Sequence, residues 1–399
     1  MTTYRDVLRH KEMPAIYVAH GISLLGSVAA EIALSVLIYR QTASPLLASL
    51  TLACAFVPQA FSAIVLSGFV DRVPARRLLV GCDLACALLV AGMTVKGAPV
   101  AVLLLLSAGI GLISPLFGGA RSAALADVLE GEVWVRARSM MRVLSQSALL
   151  MGFAVGGLLL TTFDPRTLLV GDAVSFIASA AILRFGTSAR PARGGVTKKV
   201  AFGAASRVLR DRRLRPLLLM TWLPSACVSS IDALATPYAS PHTTAIGLML
   251  AAAAIGSILA ELLGRRVRHE RLVASISGLG LLLFAFHPAV WLAIPITVVA
   301  MQGGAIGQVL DGRILALLDD ESRGQLLSLQ GGMLMGIQGA GIALAGALAE
   351  VWPPYVVLTG FGVVDLLCVW TLLRPESPRG TAAQQAGVSS TEVPGTPVS

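Results

Sequence analysis

Charged residues are scarce in this sequence: Asp, Glu, Lys and Arg together make up only 13% of 399 residues, and aromatic residues only 6%. Soluble domains carry about 25% charged residues, so the composition excludes an ordinary soluble enzyme. A disordered chain is also excluded, because disorder requires low hydrophobicity and high net charge. Instead, 55% of the residues are hydrophobic and the mean hydropathy is +0.78. These values indicate a polytopic membrane protein.

Signatures of catalysis and of metal binding are missing from the sequence. It contains no P-loop and no nucleophile elbow, and its five histidines lack metal-ligand spacing. The five cysteines lie in apolar stretches, where cysteine behaves as a small hydrophobic residue. They are Cys54, Cys82, Cys86, Cys227 and Cys368. We therefore expect no enzyme activity, no cofactor, no metal and no disulfide framework, and no primary pumping unless a partner supplies a nucleotide site.

Apolar runs between turn signals predict twelve membrane-spanning helices. The first six runs are 14–39, 46–69, 78–95, 98–120, 140–162 and 167–185. The second six are 216–238, 243–263, 272–287, 289–311, 325–350 and 354–373. The run 272–287 is the shortest of them. The predicted fold is an all-α membrane protein with two six-helix halves.

Polar stretches divide the chain into five parts. A basic segment, residues 186–215, separates an N-terminal six-helix bundle (14–185) from a C-terminal six-helix bundle (216–373). Residues 1–13 precede the first bundle, and residues 374–399 follow the second. The last segment is rich in Pro, Ser, Thr, Gly and Gln, which predicts a disordered tail.

The basic residues predict the orientation of the chain in the membrane. With the N-terminus inside, all of the 31 Lys and Arg residues except Arg40, Lys96 and Arg166 fall on the cytoplasmic side, as the positive-inside rule requires. The net charge of +9 is thus explained by the orientation of the chain in the membrane, and we expect no nucleic-acid partner. Only four of the 31 basic residues are lysine, and Ala, Gly and Val are frequent, as in GC-rich bacteria. The expected location is therefore the bacterial plasma membrane, with both termini cytoplasmic.

The second half of the sequence repeats features of the first. Residues 121–127 read Arg-Ser-Ala-Ala-Leu-Ala-Asp, and residues 313–319 read Arg-Ile-Leu-Ala-Leu-Leu-Asp. A Leu-Met-Gly triplet follows at 150–152 and again at 334–336. Both matches join predicted helices that are six apart. They indicate two parallel repeats, one of the plans found in secondary transporters.

The turn between the second and third predicted spans carries a recognisable motif. Residues 67–77 read Ser-Gly-Phe-Val-Asp-Arg-Val-Pro-Ala-Arg-Arg. This resembles the signature Gly-x-Leu-Ala-Asp-Arg-x-Gly-Arg-Lys of the major facilitator superfamily (MFS): Asp71, Arg72 and Arg76 match, while the two glycines and one basic residue are replaced. The resemblance implies that these three residues form a gating motif, which contacts the cytoplasmic ends of neighbouring helices and stabilises the outward-open state. Ordinary loop charge would explain Arg76 but not Asp71.

Other segments resemble the drug-exporter branch of the superfamily, which includes enterobactin exporters and macrolide efflux pumps. They are Pro115, residues 121–123 before Asp127, residues 172–176 and residues 321–324. The resemblance implies proton-coupled efflux of an amphiphilic small molecule (an antibiotic, drug or siderophore) by alternating access. The expected partners are that substrate, protons and the lipid bilayer, and the expected state is a monomer.

Two acidic residues fall inside predicted spans, Glu31 in the first and Asp232 in the seventh. Ionisable groups inside a membrane are expensive and usually face the bundle interior. The two acids lie at matching depth, and in the family these two helices line the central cavity. We expect a pseudo-symmetric pair that binds a proton or a cationic substrate. The alternative is that each caps a broken helix or bonds to a neighbouring helix.

Arg121 and Arg313 are further candidates, because the resembled drug exporters carry a helix-4 arginine linked to proton coupling. Arg121 lies near the inner end of its helix, however, far from Glu31. The family's glycine-rich continuation after that arginine is also missing. A structural ion pair, with Asp127 or Asp83, is therefore the favoured interpretation.

The glycines Gly152, Gly156 and Gly157 resemble the antiporter motif of helix 5, although its usual proline is replaced by Gly157. Close helix packing explains small residues at this spacing without antiport. Two functional alternatives therefore stay open. One is an importer or uniporter of a small metabolite on the same fold, and the other is a non-transporting membrane protein such as a scramblase or sensor.

Overall fold

The computed structural model describes residues 7–65, 72–129, 131–188, 190–191, 214–264, 269–317 and 320–372. Within these ranges the regular structure is entirely helical, and the predicted all-α fold of twelve helices is confirmed. Asp71, most of the predicted linker and the predicted tail lie outside the described residues. The twelve helices, in chain order, are α1 (Met13–Thr42), α2 (Pro45–Val65), α3 (Ala75–Met93), α4 (Val100–Val128), α5 (Gly131–Leu159), α6 (Pro165–Gly186), α7 (Leu214–Val228 and Ser230–Ala239), α8 (Thr243–Gly264), α9 (Glu270–Leu282), α10 (Val290–Ala300 and Gly307–Ala316), α11 (Asp320–Leu348) and α12 (Pro354–Leu372).

Ten of these helices are long and apolar enough to cross a membrane. The other two are α3, which carries Arg76, Arg77 and Asp83, and α9. The predicted run 272–287 becomes α9 followed by a 3₁₀ turn, Leu283–Phe286. Hydropathy underestimates the length of some helices, because the hydrogen-bonded helix continues into polar sequence. The helix α5, for example, begins at Gly131 rather than at residue 140.

Local sequence explains where several helices begin. Pro165 occupies the first turn of α6, where its missing N–H needs no partner. The Asp164 side chain accepts a hydrogen bond from the Arg166 backbone N–H at 2.9 Å and so caps the helix. Pro45 and Pro354 likewise open α2 and α12.

The two halves, α1–α6 and α7–α12, pack together most closely at one side of the bundle. We call the side on which α1 begins and α12 ends the terminal side, and the opposite side the far side. At the far side, Ser35 on α1 and Thr236 on α7 are hydrogen-bonded at 3.0 Å. The Leu46 N–H donates to Glu350 at 3.0 Å, and one hydrophobic cluster includes residues of both halves.

Small residues let the halves approach closely at the far side. A Cβ added at Gly157 on α5 would lie 2.6 Å from the Cα of Gly247 on α8. A Cβ added at Gly339 on α11 would lie 2.8 Å from the Val57 side chain on α2. Side chains at these positions would push the helices apart, so the far-side closure depends on their absence.

Two helices of the second half are interrupted within the bundle. The helix α7 is interrupted at Ser229, between its two prolines, Pro224 and Pro237. The helix α10 contains a 3₁₀ segment, Met301–Ile306, that includes Gly303 and Gly304. Irregular backbone at membrane depth is tolerated where it is buried in protein or lines a cavity.

Candidate substrate cavity

A cavity of about 590 Å³ lies between the two halves. It extends from the Ser35–Thr236 contact near the far side to Arg142 and Glu261 near the terminal side, and both helix interruptions line it. Ligand sites typically measure about 300–1,000 Å³, so the cavity has room for a small organic molecule.

Glu31 and Asp232 both line this cavity, from α1 in one half and α7 in the other. Both residues are partly exposed. Neither carboxylate has a hydrogen bond or an ion pair with the described part of the chain. The sequence suggested helix capping as an alternative, but no side-chain cap bond is present at the start of the second α7 segment.

The two acids occupy equivalent positions relative to the far-side closure. Ser35 follows Glu31 by one helical turn, and Thr236 follows Asp232 by one turn. Because Ser35 and Thr236 are hydrogen-bonded across the halves, each acid lies immediately beneath the closed end of the cavity.

The remaining charged groups make the described cavity wall acidic. Glu261 on α8 forms an ion pair with Arg142 on α5, and this pair joins the halves near the terminal side. Asp311 on α10 accepts a hydrogen bond from the Gln330 amide at 2.7 Å. Carboxylates therefore outnumber guanidinium groups among the described lining residues, and a cation is attracted more strongly than an anion.

Arg121 lies apart from the central cavity, in a small pocket inside the first half. It donates a hydrogen bond to the imidazole of His20, with an Nη1–Nε2 distance of 2.7 Å. Asp83 lies in the same pocket and accepts a hydrogen bond from Ser179 at 2.7 Å. The sequence suggested two acids as partners of Arg121. Asp83 lies in the same pocket as Arg121, whereas the side chain of Asp127 is not among those that the structure describes.

His20 is the part of this network that the sequence interpretation missed. It is only 8% exposed and also contacts Ser145 on α5, with an Nε2–Oγ distance of 2.8 Å. An ionisable residue within the first apolar run was the available signal.

Arg313, the counterpart of Arg121 in the repeat, has different surroundings. It forms an ion pair with Glu270 at the start of α9, with an N–O distance of 2.7 Å. Both side chains are about one quarter exposed (28% and 26%), and neither lines the central cavity.

The structure describes part of the candidate gating motif. Arg76 donates a hydrogen bond to the backbone carbonyl of Arg184, in the last turn of α6. A cation at this position satisfies a carbonyl that the helix leaves free and complements the helix dipole. Arg72 is exposed beside the start of α3. The turn thus reaches the end of a neighbouring helix through Arg76.

The three glycines of α5 lie at helix contacts. A Cβ added at Gly152 would lie 2.7 Å from the Val28 side chain, and one at Gly156 would lie 2.9 Å from the Cα of Ala29, both on α1. Gly157 faces Gly247 of the other half. The glycines therefore allow α5 to pack against α1 and α8 together.

Several polar cavity residues were not recognised from the sequence. On α7 they are Thr221, Ser225, Ser229 and Thr236, and at the terminal side they are Arg142 and Glu261. The α7 residues recur at helical spacing with Asp232, which could have revealed a common face. Nothing local in the sequence brings Arg142 and Glu261 together.

Both the sequence and the fold resemble those of known membrane transporters. The solved structure of a mutant of the nucleoside transporter NupG has a TM-score of 0.73 at 12% identity, covering 91% of this chain and 100% of its own. A POT family transporter in complex with a thioalcohol-conjugated peptide has a TM-score of 0.71 at 11% identity, covering 90% and 95%. A bacterial homologue of the iron transporter ferroportin, in an inward-facing state, has a TM-score of 0.68 at 12% identity, covering 94% and 100%.

At these identities the solved structures show a common fold and nothing finer. A search of curated proteins gave no significant match. The sequence model of the Major Facilitator Superfamily, however, matches residues 16–310, well over half of the chain. This chain therefore belongs to the major facilitator superfamily of membrane transporters.

Proposed function

We propose that this protein is a proton-coupled exporter of an amphiphilic small molecule, of the drug-exporter branch, in the bacterial plasma membrane. One observation carries the proposal: two carboxyl groups from opposite halves, Glu31 and Asp232, share one cavity without a cationic partner among the described residues. Two neighbouring negative charges in a poorly hydrated site favour the uptake of a proton or another cation. Such a site can exchange one for the other, which is what antiport requires.

The packing of the two halves supports the following transport cycle. With the termini in the cytoplasm, the halves are closed on the outer side, and the cavity is the inward-facing one. A substrate cation enters and displaces protons from Glu31 and Asp232. The halves then separate at the Ser35–Thr236 contact and close on the terminal side, so that substrate leaves outward and protons bind from outside.

The gating motif has a defined task in this cycle. Arg76 already contacts the end of α6. Closure of the terminal side adds contacts of Asp71 and Arg72 with helix ends of the other half, and these paired charges stabilise the outward-open state. The arginines Arg121 and Arg313, which lie outside the cavity, stabilise the two halves as units during this movement. The exporter acts as a monomer, because one chain contains both halves.

Inverted membrane vesicles with an acidic lumen provide the test. Cationic, neutral and anionic amphiphiles are added outside, and proton release from the lumen is followed with a pH-sensitive dye. We expect cationic amphiphiles to trigger release in the native protein and in Glu12→Gln, which removes a carboxylate outside the cavity. Glu31→Gln and Asp232→Asn should abolish release.

The alternatives give different results. An importer or uniporter of a small metabolite would show flux in right-side-out vesicles, without release in inverted ones. A scramblase or sensor would show no solute flux in either orientation. Release that persists in both acid variants would refute the proposed coupling site.

A further inference from the structure

One face of α7 is polar along the whole depth of the cavity. It carries Thr221, Ser225, Ser229, Asp232 and Thr236. Successive members are separated by four, four, three and four residues, so they project in nearly the same direction from the helix. All five line the cavity. We call this set the α7 face.

Three hydroxyl groups of the α7 face donate hydrogen bonds to carbonyl groups of their own helix. Thr221 donates to the Leu217 carbonyl at 3.0 Å. Ser225 donates to the Thr221 carbonyl at 2.7 Å, and Ser229 donates to the Ser225 carbonyl at 2.8 Å. A hydroxyl group has one proton and two lone pairs. These oxygens can therefore offer a ligand only acceptor positions.

The α7 face is consequently a wall of hydrogen-bond acceptors around a carboxylate. Glu31 adds a second carboxylate from the other half. Among the described lining residues, the guanidinium of Arg142 is engaged by Glu261, and the amides of Gln146 and Gln338 can act in both directions. Apolar side chains, including Phe56 and Phe153, complete the lining.

We propose that the α7 face selects cations that carry N–H donors, namely protonated primary and secondary amines, over quaternary ammonium ions of equal charge. The inference rests on the proposed function, since it takes Glu31 and Asp232 as the cation site. Both kinds of cation gain the same attraction to the carboxylates. A quaternary ion, however, desolvates the Ser225 and Ser229 oxygens without giving them a hydrogen bond, and unpaired polar groups in a site are costly.

The test compares two ligands with one carbon skeleton, 4-phenylbutylammonium and N,N,N-trimethyl-4-phenylbutylammonium. Binding to the purified full-length protein in lipid nanodiscs is measured by calorimetry at neutral pH. We expect the primary ammonium ion to bind about tenfold more tightly, as the loss of one or two hydrogen bonds implies. This comparison uses only the native protein, so misfolding of a variant cannot affect it.

A double variant, Ser225→Ala with Ser229→Ala, assigns the selectivity to the α7 face. It should reduce the roughly tenfold preference to within about twofold. The primary ammonium ion loses its hydrogen-bond acceptors and binds more weakly, whereas the quaternary ion no longer desolvates hydroxyl oxygens and binds more tightly. The matched control is Ser275→Ala, because Ser275 on α9 makes the same bond to a carbonyl four residues earlier, at 2.7 Å, but does not line the cavity. The control should keep the native preference.

Equal affinities in the native protein, or a preference that survives the double variant, would overturn the inference. If both cations bind equally and Glu31→Gln removes the binding, the α7 inference fails and the proposed cation site stands. If neither cation binds, and neither releases protons from the vesicles, the proposed function fails as well.

Discussion

The two halves of this transporter share one helix arrangement but place their buried polar groups differently. In the first half, Arg121, His20 and Asp83 lie in a pocket of their own, away from the cavity. In the second half, the interrupted helices α7 and α10 present polar groups to the cavity itself. The two halves thus share a helix arrangement but differ in where their polar groups lie, and the second half supplies most of the cavity wall.

A pair of hydrogen bonds illustrates the same divergence. Ser179 on α6 donates to Asp83 on α3 at 2.7 Å, and Ser277 on α9 donates to Asp365 on α12 at 2.6 Å. Both bonds join the third and sixth helices of their half, but the acid and the hydroxyl have exchanged helices. Both aspartates are completely buried, and a buried polar group without a partner is costly. Each half therefore pairs its aspartate with a serine hydroxyl, but the aspartate lies on the third helix in one half and on the sixth helix in the other.

The two repeat-related arginines should differ most in their effect on stability. Arg121→Ala removes the hydrogen bond to the buried His20 and the cation from the pocket that contains Asp83. It should lower the free energy of unfolding by about 1–3 kcal/mol, since a buried polar group that loses its partner costs about that much. Arg313→Ala breaks a partly exposed pair and should cost less than about 1 kcal/mol. Denaturant unfolding in detergent micelles measures both. Equal losses of unfolding free energy in the two variants would contradict the different roles that we assign to these two arginines.

The two cavity acids should, in contrast, behave alike. Glu31→Gln and Asp232→Asn should each reduce proton-coupled flux about tenfold or more, because a hydrogen bond to a charged group is worth about 1.5–3 kcal/mol. Initial rates of dye response in inverted vesicles give the comparison. A large effect from one acid and none from the other would show that the halves contribute unequally to coupling.

Contact between the halves should be sensitive to a single added side chain. Gly157→Val places a β-branched side chain against Gly247, and overpacking of this kind costs about 1–3 kcal/mol. We expect the far side to open and transport to fall. Cysteine accessibility at a residue introduced near Thr236 reports the opening. Gly171→Val, on an open face of α6, should leave accessibility and transport unchanged.

The smallest effect concerns an ion pair between a residue that precedes α1 and one that follows α6. Arg190 donates to both carboxylate oxygens of Glu12, at 2.6 and 2.8 Å. Chiefly through this bond, it lowers the pKa of Glu12 below its ordinary value of 4.5. The stabilisation is therefore fully present above pH 4.5 and is lost as the pH falls below that value. Thermal unfolding from pH 7 to 3 should show a steeper loss in the native protein than in Glu12→Gln, by less than about 1 kcal/mol.

The pattern of apolar runs was sufficient to predict the number and order of the helices. Each run must form a helix because the bilayer offers no other hydrogen-bond partner to the backbone. The ends were less predictable: α5 begins nine residues before its apolar run, since polar residues also support a helix outside the hydrocarbon. The apolar runs also did not reveal that α7 and α10 are interrupted.

The sequence by itself determined that this is a twelve-helix membrane protein with a duplicated plan, because burial of apolar surface and backbone hydrogen bonding are local requirements. It also singled out Glu31 and Asp232, since an acid inside an apolar run is conspicuous. Only the tertiary structure decided that these two acids meet in one cavity, that Arg121 contacts His20, and that Arg142 faces Glu261. Those contacts join residues more than a hundred positions apart, and no local rule of helix formation relates residues at that separation.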